Sequence, residues 1–262
     1  VSLEHQPPEH PHPALAGLVG PLTSRTGALA VRQPSQEELP LQLAAVDSAY
    51  GAPFRPGEAG QQARLDALMP MHNRRVVVEQ LPDGGERILG GAVRFDTELS
   101  LPGGGRVPVG ALSGVGIDPG AQHRGAFREL MREHLAECRS RGDAASVLMA
   151  SITALYPRFG YGCVSQTADW QIDVPAARLR PDAPTSGSVH VEHARGAALH
   201  AALDDVWRAA GAARAGALTR SAAWWATVMS PEATWLGGGK LLVALHTVDG
   251  QPDGYVLFTV DA

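Results

Sequence analysis

The sequence predicts an α+β fold, in which a mixed, mostly antiparallel sheet is flanked by helices and a second, incomplete unit with the same order of elements follows. Two observations lead to this prediction. Residues 75–117 are strand-like segments separated by Gly-rich turns, whereas residues 127–142 carry apolar side chains at helical spacing. A chain of 262 residues with 44% hydrophobic content can fill two modest cores.

The first ordered elements are predicted to be a strand and a helix. Residues 28–31 form a short apolar run, and Ser35 and Glu38 have capping-box spacing ahead of an amphipathic segment. Pro40 falls slightly past the first helical turn, where proline is less favourable, so the helix start is left open by a few residues. Residues 1–26 are rich in Pro and His without periodicity, and we expect a mobile tail with no metal site.

The middle of the chain predicts an antiparallel meander followed by a helix. Turns at 83–85 and 103–105 separate three β-rich runs, the last of which ends at Ile117. After the turn at 118–120 the spacing becomes helical until Gly142. Three shorter elements are expected next, namely a strand at 146–149, a short helix at 152–159 and a strand at 165–174.

A second unit is expected after a Pro- and Ser-rich linker near residues 180–187. Its order of strand, helices and hairpin repeats the first half of the preceding unit, without a counterpart of the turn that follows Ile117. The predicted elements are a strand at 189–191, helices at 199–207 and 221–229, and a hairpin of 241–246 with 254–260.

Composition and charge argue against several classes of function. The formal net charge of -5 and the pI near 6.1 offer no excess positive charge for nucleic acid. No apolar run approaches the roughly 20 residues that a membrane span needs. Cys138 and Cys163 have neither disulfide-framework nor metal-ligand spacing. We therefore expect a cytoplasmic protein with no nucleic-acid, membrane or metal partner.

One segment, residues 112–128 (LSGVGIDPGAQHRGAFR), combines the features of an anion site. A strand ends at Ile117, and a helix starts near Gly125, whose missing side chain lets an anion approach the backbone. Unused N–H groups and the helix dipole favour negative charge there, and Arg124 and Arg128 would add mobile positive charge. The segment suits a pyrophosphate, although an ordinary strand-turn-helix can show the same glycine.

Two motifs in this part of the chain resemble the GNAT acetyltransferases. Residues 122–127 (QHRGAF) are similar to the pattern Q/R-x-x-G-x-G/A and depart from it at Phe127. Residues 149–151 (MAS) and 155–162 (LYPRFGYG) are similar to the ASxxxxYxRFGYG of the Eis (enhanced intracellular survival) branch, in which the last position of the first motif is also bulky and apolar. The resemblance implies a GNAT fold and covers residues 27–173 well and 189–262 weakly.

The resemblance also implies an acetyl-CoA site and assigns residues to it. Backbone groups of Val115, Gly116 and Ile117 would pair with the pantetheine arm, and Ser151 and Ile152 would line the cofactor near a splayed strand end. The pyrophosphate would be held by the turn and the helix start, comprising Gln122, His123, Arg124, Gly125, Ala126, Phe127 and Arg128.

Tyr156 is the residue to which the resemblance gives a chemical role, that of general acid beside the thioester sulfur. Attack of an amine on a thioester expels a thiolate of pKa about 8.5, close enough to the phenol's value of about 10 for proton donation within a hydrogen bond. Phe159 and Tyr161 are expected to be core aromatics instead. No residue is assigned as the general base.

The predicted activity is acetyl-CoA-dependent N-acetylation of a small-molecule amine, such as an aminoglycoside or a polyamine, or of protein lysines. Asp47, Glu58 and Asp66 are weak candidates for attracting a cationic acceptor, since exposed carboxylates are usually only solvated. The alternative is a catalytically silent acyl-CoA-binding sensor or scaffold. A dinucleotide-binding oxidoreductase is rejected, because no G-x-G-x-x-G follows the first strand.

The expected domain organisation has three parts. They are the tail at 1–26, the acetyl-CoA-binding GNAT domain at 27–176 and a second GNAT-like domain at 177–262. Members of the Eis branch are considerably longer, so we expect the second domain to be truncated here. We expect it to bind no CoA, to form one wall of the acceptor cleft and to contribute contacts in a homo-oligomer.

Overall fold

A computed structural model describes residues 27–51, 66–166, 177–178, 180–183, 185–230 and 241–259. The described chain forms two compact units. The first unit runs to Met149 and includes Ala215–Thr219, and the second comprises Ala150–Arg214 and the chain from Arg220 onward. The predicted tail at 1–26 and most of the strand predicted at 165–174 lie outside the described residues.

The first unit is a five-stranded mixed sheet with the order β1-β2-β3-β4-β5. All neighbours are antiparallel except β4 and β5, which are parallel, so the predicted α+β sheet is confirmed. Its elements are β1 (Leu29–Arg32), α1 (Leu39–Ala49), β2 (Arg74–Gln80), β3 (Glu86–Ser100), β4 (Arg106–Ile117), α2 (Ala126–Arg141) and β5 (Ala145–Leu148).

The start of α1 follows the predicted capping box. The Ser35 N–H donates to Glu38 Oε2 at 2.8 Å, and the Glu38 N–H donates to Ser35 Oγ at 3.3 Å. Pro40 lies in the first turn of the helix, one residue after Leu39, which corrects the sequence reading that placed it beyond that turn. The N–H groups of a first turn have no intrahelical acceptor, so proline costs little there.

The two helices of this unit cover opposite faces of the sheet. Leu41 on α1 packs with Val76 and Val78, whereas Glu137 on α2 pairs with Arg75. Successive side chains of a strand point to opposite faces, so odd-numbered residues of β2 face α2. This alternation also directs Glu79 toward the α2 side of the sheet.

Glycines let α1 approach the strands closely. A Cβ on Gly116 would lie 2.7 Å from Val46 Cα, and a Cβ on Gly91 would lie 2.7 Å from Gln42 Cγ. No side chain fits at either position. The backbones of β3 and β4 are therefore held directly under the helix.

The second unit is a three-stranded antiparallel sheet with the order β6-β7-β8. Its order of strand, helices and hairpin agrees with the prediction, and the hairpin turns at Asp249 and Gly250, both at positive φ. Its elements are β6 (Ser188–His193), α3 (Ala197–Ala212), α4 (Ala222–Val228), β7 (Leu241–Val248) and β8 (Gln251–Thr259).

The core of the second unit lies between its helices and one face of the sheet. Leu203, Trp225 and Val243 are fully buried there. Beside them, the Arg220 guanidinium stacks 3.4 Å from the centre of the Trp207 ring and donates to Tyr255 Oη at 3.1 Å. The unit thus has a core of its own, as two domains require.

Candidate functional site

β4 is paired on both sides over only part of its length. It pairs with β3 as far as Ile117, but with β5 only from Val109 to Leu112. On the β5 side, residues 113–117 have no paired strand among the described residues. Backbone groups without a paired strand are of the kind that an extended ligand with amide groups of its own can use.

A β-bulge lies at the point where β4 and β5 separate. The register between β3 and β4 moves from Val93 and Ser113 to Gly91 and Gly116, so Gly114 and Val115 together face the single residue Ala92. Gly114 has φ +55, a conformation that favours glycine. The bulge re-aims the backbone of residues 115–117 relative to the rest of β4.

Gln42 braces this bulge from α1. Its Nε2 donates to the carbonyl oxygens of Arg75 and Ala92, both at 3.2 Å, and its side chain is buried. The amide thereby links α1 to two backbone carbonyls beside the bulge. Gln42 was not predicted to have a structural role, because a Gln within an amphipathic helix does not by itself indicate hydrogen bonds to a neighbouring sheet.

The turn after β4 is held in place by local hydrogen bonds. The Asp118 N–H donates to the Leu89 carbonyl at 2.8 Å, and the Asp118 carboxylate accepts from the Gly120 N–H at 2.8 Å. A 3-10 turn over Pro119–Ala121 follows. The end of β4 and the start of α2 are therefore linked by an ordered turn.

Two left-handed residues precede α2. His123 has φ +62 and Gly125 has φ +94, and the helix begins at Ala126. Its first intrahelical hydrogen bond runs from the Glu129 N–H to the Gly125 carbonyl at 3.1 Å. The N–H groups of the first turn, before Glu129, have no acceptor within the helix, and such groups together with the helix dipole favour an anion.

The space in front of Gly125 is open. A Cβ built there would meet only Leu29 Cδ1, at 3.8 Å. The described backbone can thus admit a pyrophosphate group close to the helix start, as the motif predicts. His123 and Gln122 are exposed beside it, and Arg128 is exposed on the first helical turn.

Arg124 differs from the expectation of a mobile charge. Its Nη1 lies 3.2 Å from Glu79 Oε2 on β2, and the same oxygen accepts from Arg87 Nη2 at 2.7 Å. The Glu79 side chain is 9% exposed. Arg124 is therefore engaged by the protein, and Glu79 is a second residue near the site that the sequence argument did not identify.

The second motif has a different local structure from the one predicted. Residues 152–159 were expected to form one short helix, but the chain forms two 3-10 turns, Thr153–Leu155 and Pro157–Phe159. Pro157 has no N–H to donate to Thr153, so an α-helical ladder cannot pass through it. Gly160, at φ +89, ends the second turn.

Ser151, Ile152 and Tyr156 belong to the second compact unit, whereas residues 115–117 and 122–128 belong to the first. Ser151 and Ile152 are exposed, Ile152 by 60%. Tyr156 is half-buried and makes an edge-on contact with Tyr161, with the ring centres 5.9 Å apart. The residues of the expected site are thus divided between the two units.

The three acidic residues considered for the acceptor have different surroundings. Asp66 pairs with Arg74 at 3.4 Å, so its carboxylate already has a cation. Asp47 lies on α1 next to Val46, which contacts Gly116, and burial raises the pKa of its carboxyl group. Glu58 lies outside the described residues. Among the three, Asp47 is the one on the helix that packs on β4.

Within the described ranges, His, Cys, Asp and Glu side chains do not gather in groups of three that could hold a metal ion. In the same part of the chain, every helix is too short or too polar to cross a bilayer.

Comparisons with known proteins agree with the motifs. Residues 30–164 match the acetyltransferase (GNAT) domain family. The N-acetyltransferase Eis of Mycobacterium tuberculosis (strain ATCC 25177 / H37Ra) is 31% identical over 194 residues, which are 71% of this chain and 46% of that protein. An uncharacterised N-acetyltransferase of Streptomyces coelicolor is 27% identical over 219 residues, or 82% of this chain and 53% of the relative.

A solved structure is similar as well. The crystal structure of Eis1 from Mycobacterium abscessus superposes with a TM-score of 0.66 and 26% identity, covering 88% of this chain and 53% of that one. The chain thus spans about half the length of these relatives. Because the matched domain accounts for half of the sequence and contains β1 to β5, the chain belongs to the GNAT acetyltransferase family.

Proposed function

We propose that this protein is an acetyl-CoA-dependent N-acetyltransferase acting on an amine. The observation that carries the proposal is the alignment of two features in the first unit. The backbone strip at 113–117, which lacks a strand on its β5 side among the described residues, leads through an ordered turn to the helix start at Gly125. A ligand with an amide-bearing arm and a pyrophosphate has the chemistry to use both.

The chain's residues fit such a ligand in shape and charge. The strip of β4 offers main-chain donors and acceptors to pantetheine amides, and the open space at Gly125 admits the pyrophosphate. The N–H groups of the first turn of α2 and the helix dipole would supply partial positive charge. When bound, acetyl-CoA supplies the activated acetyl group. Residues 115–117 would orient it, and residues 122–128 would hold its pyrophosphate.

Tyr156 is proposed to donate a proton to the departing thiolate. Its hydroxyl is attached to a ring that is half-buried against Tyr161, which restricts its position. Ser151 and Ile152 would line the cofactor close by. Support for this role comes from the LYPRFGYG likeness and from the need for a proton donor near sulfur.

The acceptor is proposed to be a cationic amine, on a small molecule or on a protein lysine. Asp47 supports this class, because it is a partly buried carboxylate on α1 near β4. A partly buried carboxylate that has no nearby cation is stabilised when an ammonium group binds beside it. We propose a small-molecule polyamine or aminoglycoside first, because a molecule with several ammonium groups is attracted to a carboxylate more strongly than a single amine is.

The whole chain is proposed to contain one acetyl-CoA-binding domain at 27–176 and a GNAT-like domain at 177–262 without cofactor. The repeated order of strand, helices and hairpin supports this division. The second domain would contribute to the wall of the acceptor cleft and to homo-oligomer contacts in the cytoplasm.

The proposal is tested by measuring release of free thiol from acetyl-CoA with aminoglycosides, polyamines and lysine peptides as acceptors. Thiol release that depends on the amine, together with CoA binding by calorimetry, is the expected result. Binding without release from any amine would favour the alternative of a silent acyl-CoA sensor. Absence of CoA binding would overturn both functions.

A further inference from the structure

Glu79 joins the strand β2 to the turn that leads into α2. Its Oε2 lies 3.2 Å from Arg124 Nη1 and 2.7 Å from Arg87 Nη2. All three side chains are largely covered, with exposures of 9% for Glu79, 14% for Arg124 and 17% for Arg87. An ion pair with so little contact with water is screened less by salt and constrains its partners more than a surface pair.

The turn that Arg124 belongs to has an uncommon backbone. Arg124 lies between His123 at φ +62 and Gly125 at φ +94. A left-handed conformation is unfavourable for a residue other than glycine, so it persists where surrounding contacts hold it. The Arg124 side chain ties this turn to β2 through Glu79.

We propose that Glu79 is a positioning residue of the acetyl-CoA site. Its carboxylate holds Arg124 against β2, and the turn is thereby kept in the conformation that directs its N–H groups toward the pyrophosphate. This inference rests on the proposed function. It assigns the Arg124 guanidinium to Glu79 and leaves the backbone of the turn as the anion ligand.

A simple electrostatic argument predicts the opposite effect of removing Glu79. Two guanidinium groups share one carboxylate, so loss of that carboxylate raises the local charge by one unit and attracts an anion more strongly. If Glu79 only competed with the pyrophosphate for Arg124, its removal would tighten CoA binding. If it positions the turn, CoA binding weakens although the positive charge has increased.

The chain offers a matched control for this test. Glu137 on α2 and Arg75 on β2 form a pair at 2.7 Å with side-chain exposures of 15% and 20%. It joins α2 itself to the same strand, and Glu137 lies about three helical turns from Gly125. Glu137→Gln therefore removes an ion pair of similar burial without touching the turn.

The experiment measures CoA affinity by calorimetry for Glu79→Gln, Arg124→Gln, the double variant and Glu137→Gln. We expect Glu79→Gln to weaken CoA binding by about fivefold to tenfold, and Glu137→Gln to change it by less than about twofold. The double variant should bind no more weakly than Arg124→Gln alone, because both changes break the same pair. Arg124→Gln, on a less buried side chain, keeps the test available if Glu79→Gln does not fold.

Amide hydrogen exchange without ligand gives an independent readout. Faster exchange confined to residues 123–128 in Glu79→Gln, and absent in Glu137→Gln, is expected. Unchanged or tighter CoA binding by Glu79→Gln, or an equal loss in Glu137→Gln, would overturn the inference and leave the proposed function intact. Failure of the unaltered chain to bind CoA would overturn the proposed function itself.

Discussion

At the scale of single residues, backbone conformation makes the anion site possible. Gly125 combines φ +94 with open space in front of its Cα, so it serves both the turn and the approach of a ligand. Gly142, at φ +77, ends the same helix and also faces open space. The two glycines have similar backbone needs, but only Gly125 lies at the expected site.

Gly125→Val is expected to block CoA binding. A branched side chain at positive φ costs about 1–3 kcal/mol and also fills the space the pyrophosphate needs. Gly142→Val should cost similar stability and leave CoA affinity unchanged. Calorimetry and thermal unfolding of both variants check this, and wild-type affinity in Gly125→Val would mean that the turn does not hold CoA.

Tyr156→Phe is expected to lower the acetylation rate while leaving CoA affinity nearly unchanged. The substitution removes only the hydroxyl and keeps the ring contact with Tyr161. General acid catalysis contributes about 100-fold to 10,000-fold, so a fall in turnover of that size is predicted. Tyr161→Phe is the control, and equal turnover losses in the two variants would argue against a special role for Tyr156.

At the scale of elements, α2 packs against β5 through a buried histidine. His134 Nε2 lies 2.7 Å from Ser146 Oγ, and Cys138 Sγ is 3.6 Å from the same nitrogen. Burial lowers the pKa of His134 to about 4. The positive charges of Arg94 and Arg75 act in the same direction, and the negative charge of Asp143 opposes them. The folded protein therefore keeps this imidazole neutral at pH values where the unfolded chain binds a proton.

Acidification is expected to destabilise the first unit through His134. The free energy of unfolding is highest, as far as His134 is concerned, above the unfolded pKa of about 6.5. It decreases by up to about 3 kcal/mol as the pH falls toward 4, because only the unfolded chain binds a proton at this residue. His134→Gln keeps a hydrogen-bonding group but does not titrate, so its stability should fall less between pH 7 and 4. Urea unfolding across this range measures the difference.

The comparison between variant and parent isolates this residue. His200, whose pKa is also lowered by burial, titrates in the same direction in both proteins and cancels. Parallel stability curves for the parent and His134→Gln would show that His134 does not carry this pH dependence.

At the scale of the whole molecule, α3 follows the first strand of its unit as α1 does, and a helix corresponding to α2 is not found among the described residues of the second unit. Gly196 before α3 has φ +96 and ψ 146, whereas Gly125 before α2 has φ +94 and ψ -4. The chain therefore enters the two helices in different directions. The start of α3 therefore does not reproduce the backbone of the turn before α2.

One CoA per chain is the expected stoichiometry, measured by calorimetry. Gly125→Val should abolish that single binding event, and Gly196→Val should leave it unchanged. Two equivalents bound, or loss of binding in Gly196→Val alone, would contradict the assignment of the site to the first unit.

Much of this architecture was predictable from local patterns. Alternating residues with Gly turns predicted the meander, helical spacing up to Gly142 predicted α2, and the glycines at 120 and 125 predicted a turn before that helix, because these signals depend on neighbours in sequence. The short helix at 152–159 was wrong, since Pro157 outweighed the apolar spacing. Assignments of single residues to CoA and to proton transfer stay predictions.

Long-range contacts decided the rest. The separation of β4 from β5, the bulge opposite Ala92, and the pairing of Glu79 with Arg124 join residues far apart in the chain, and no local spacing encodes them. The sequence by itself determined the elements and the turn, because backbone preference and periodicity act over a few residues. Only the tertiary structure decided which charges are already paired and which backbone groups stay open, because both depend on what packs beside them.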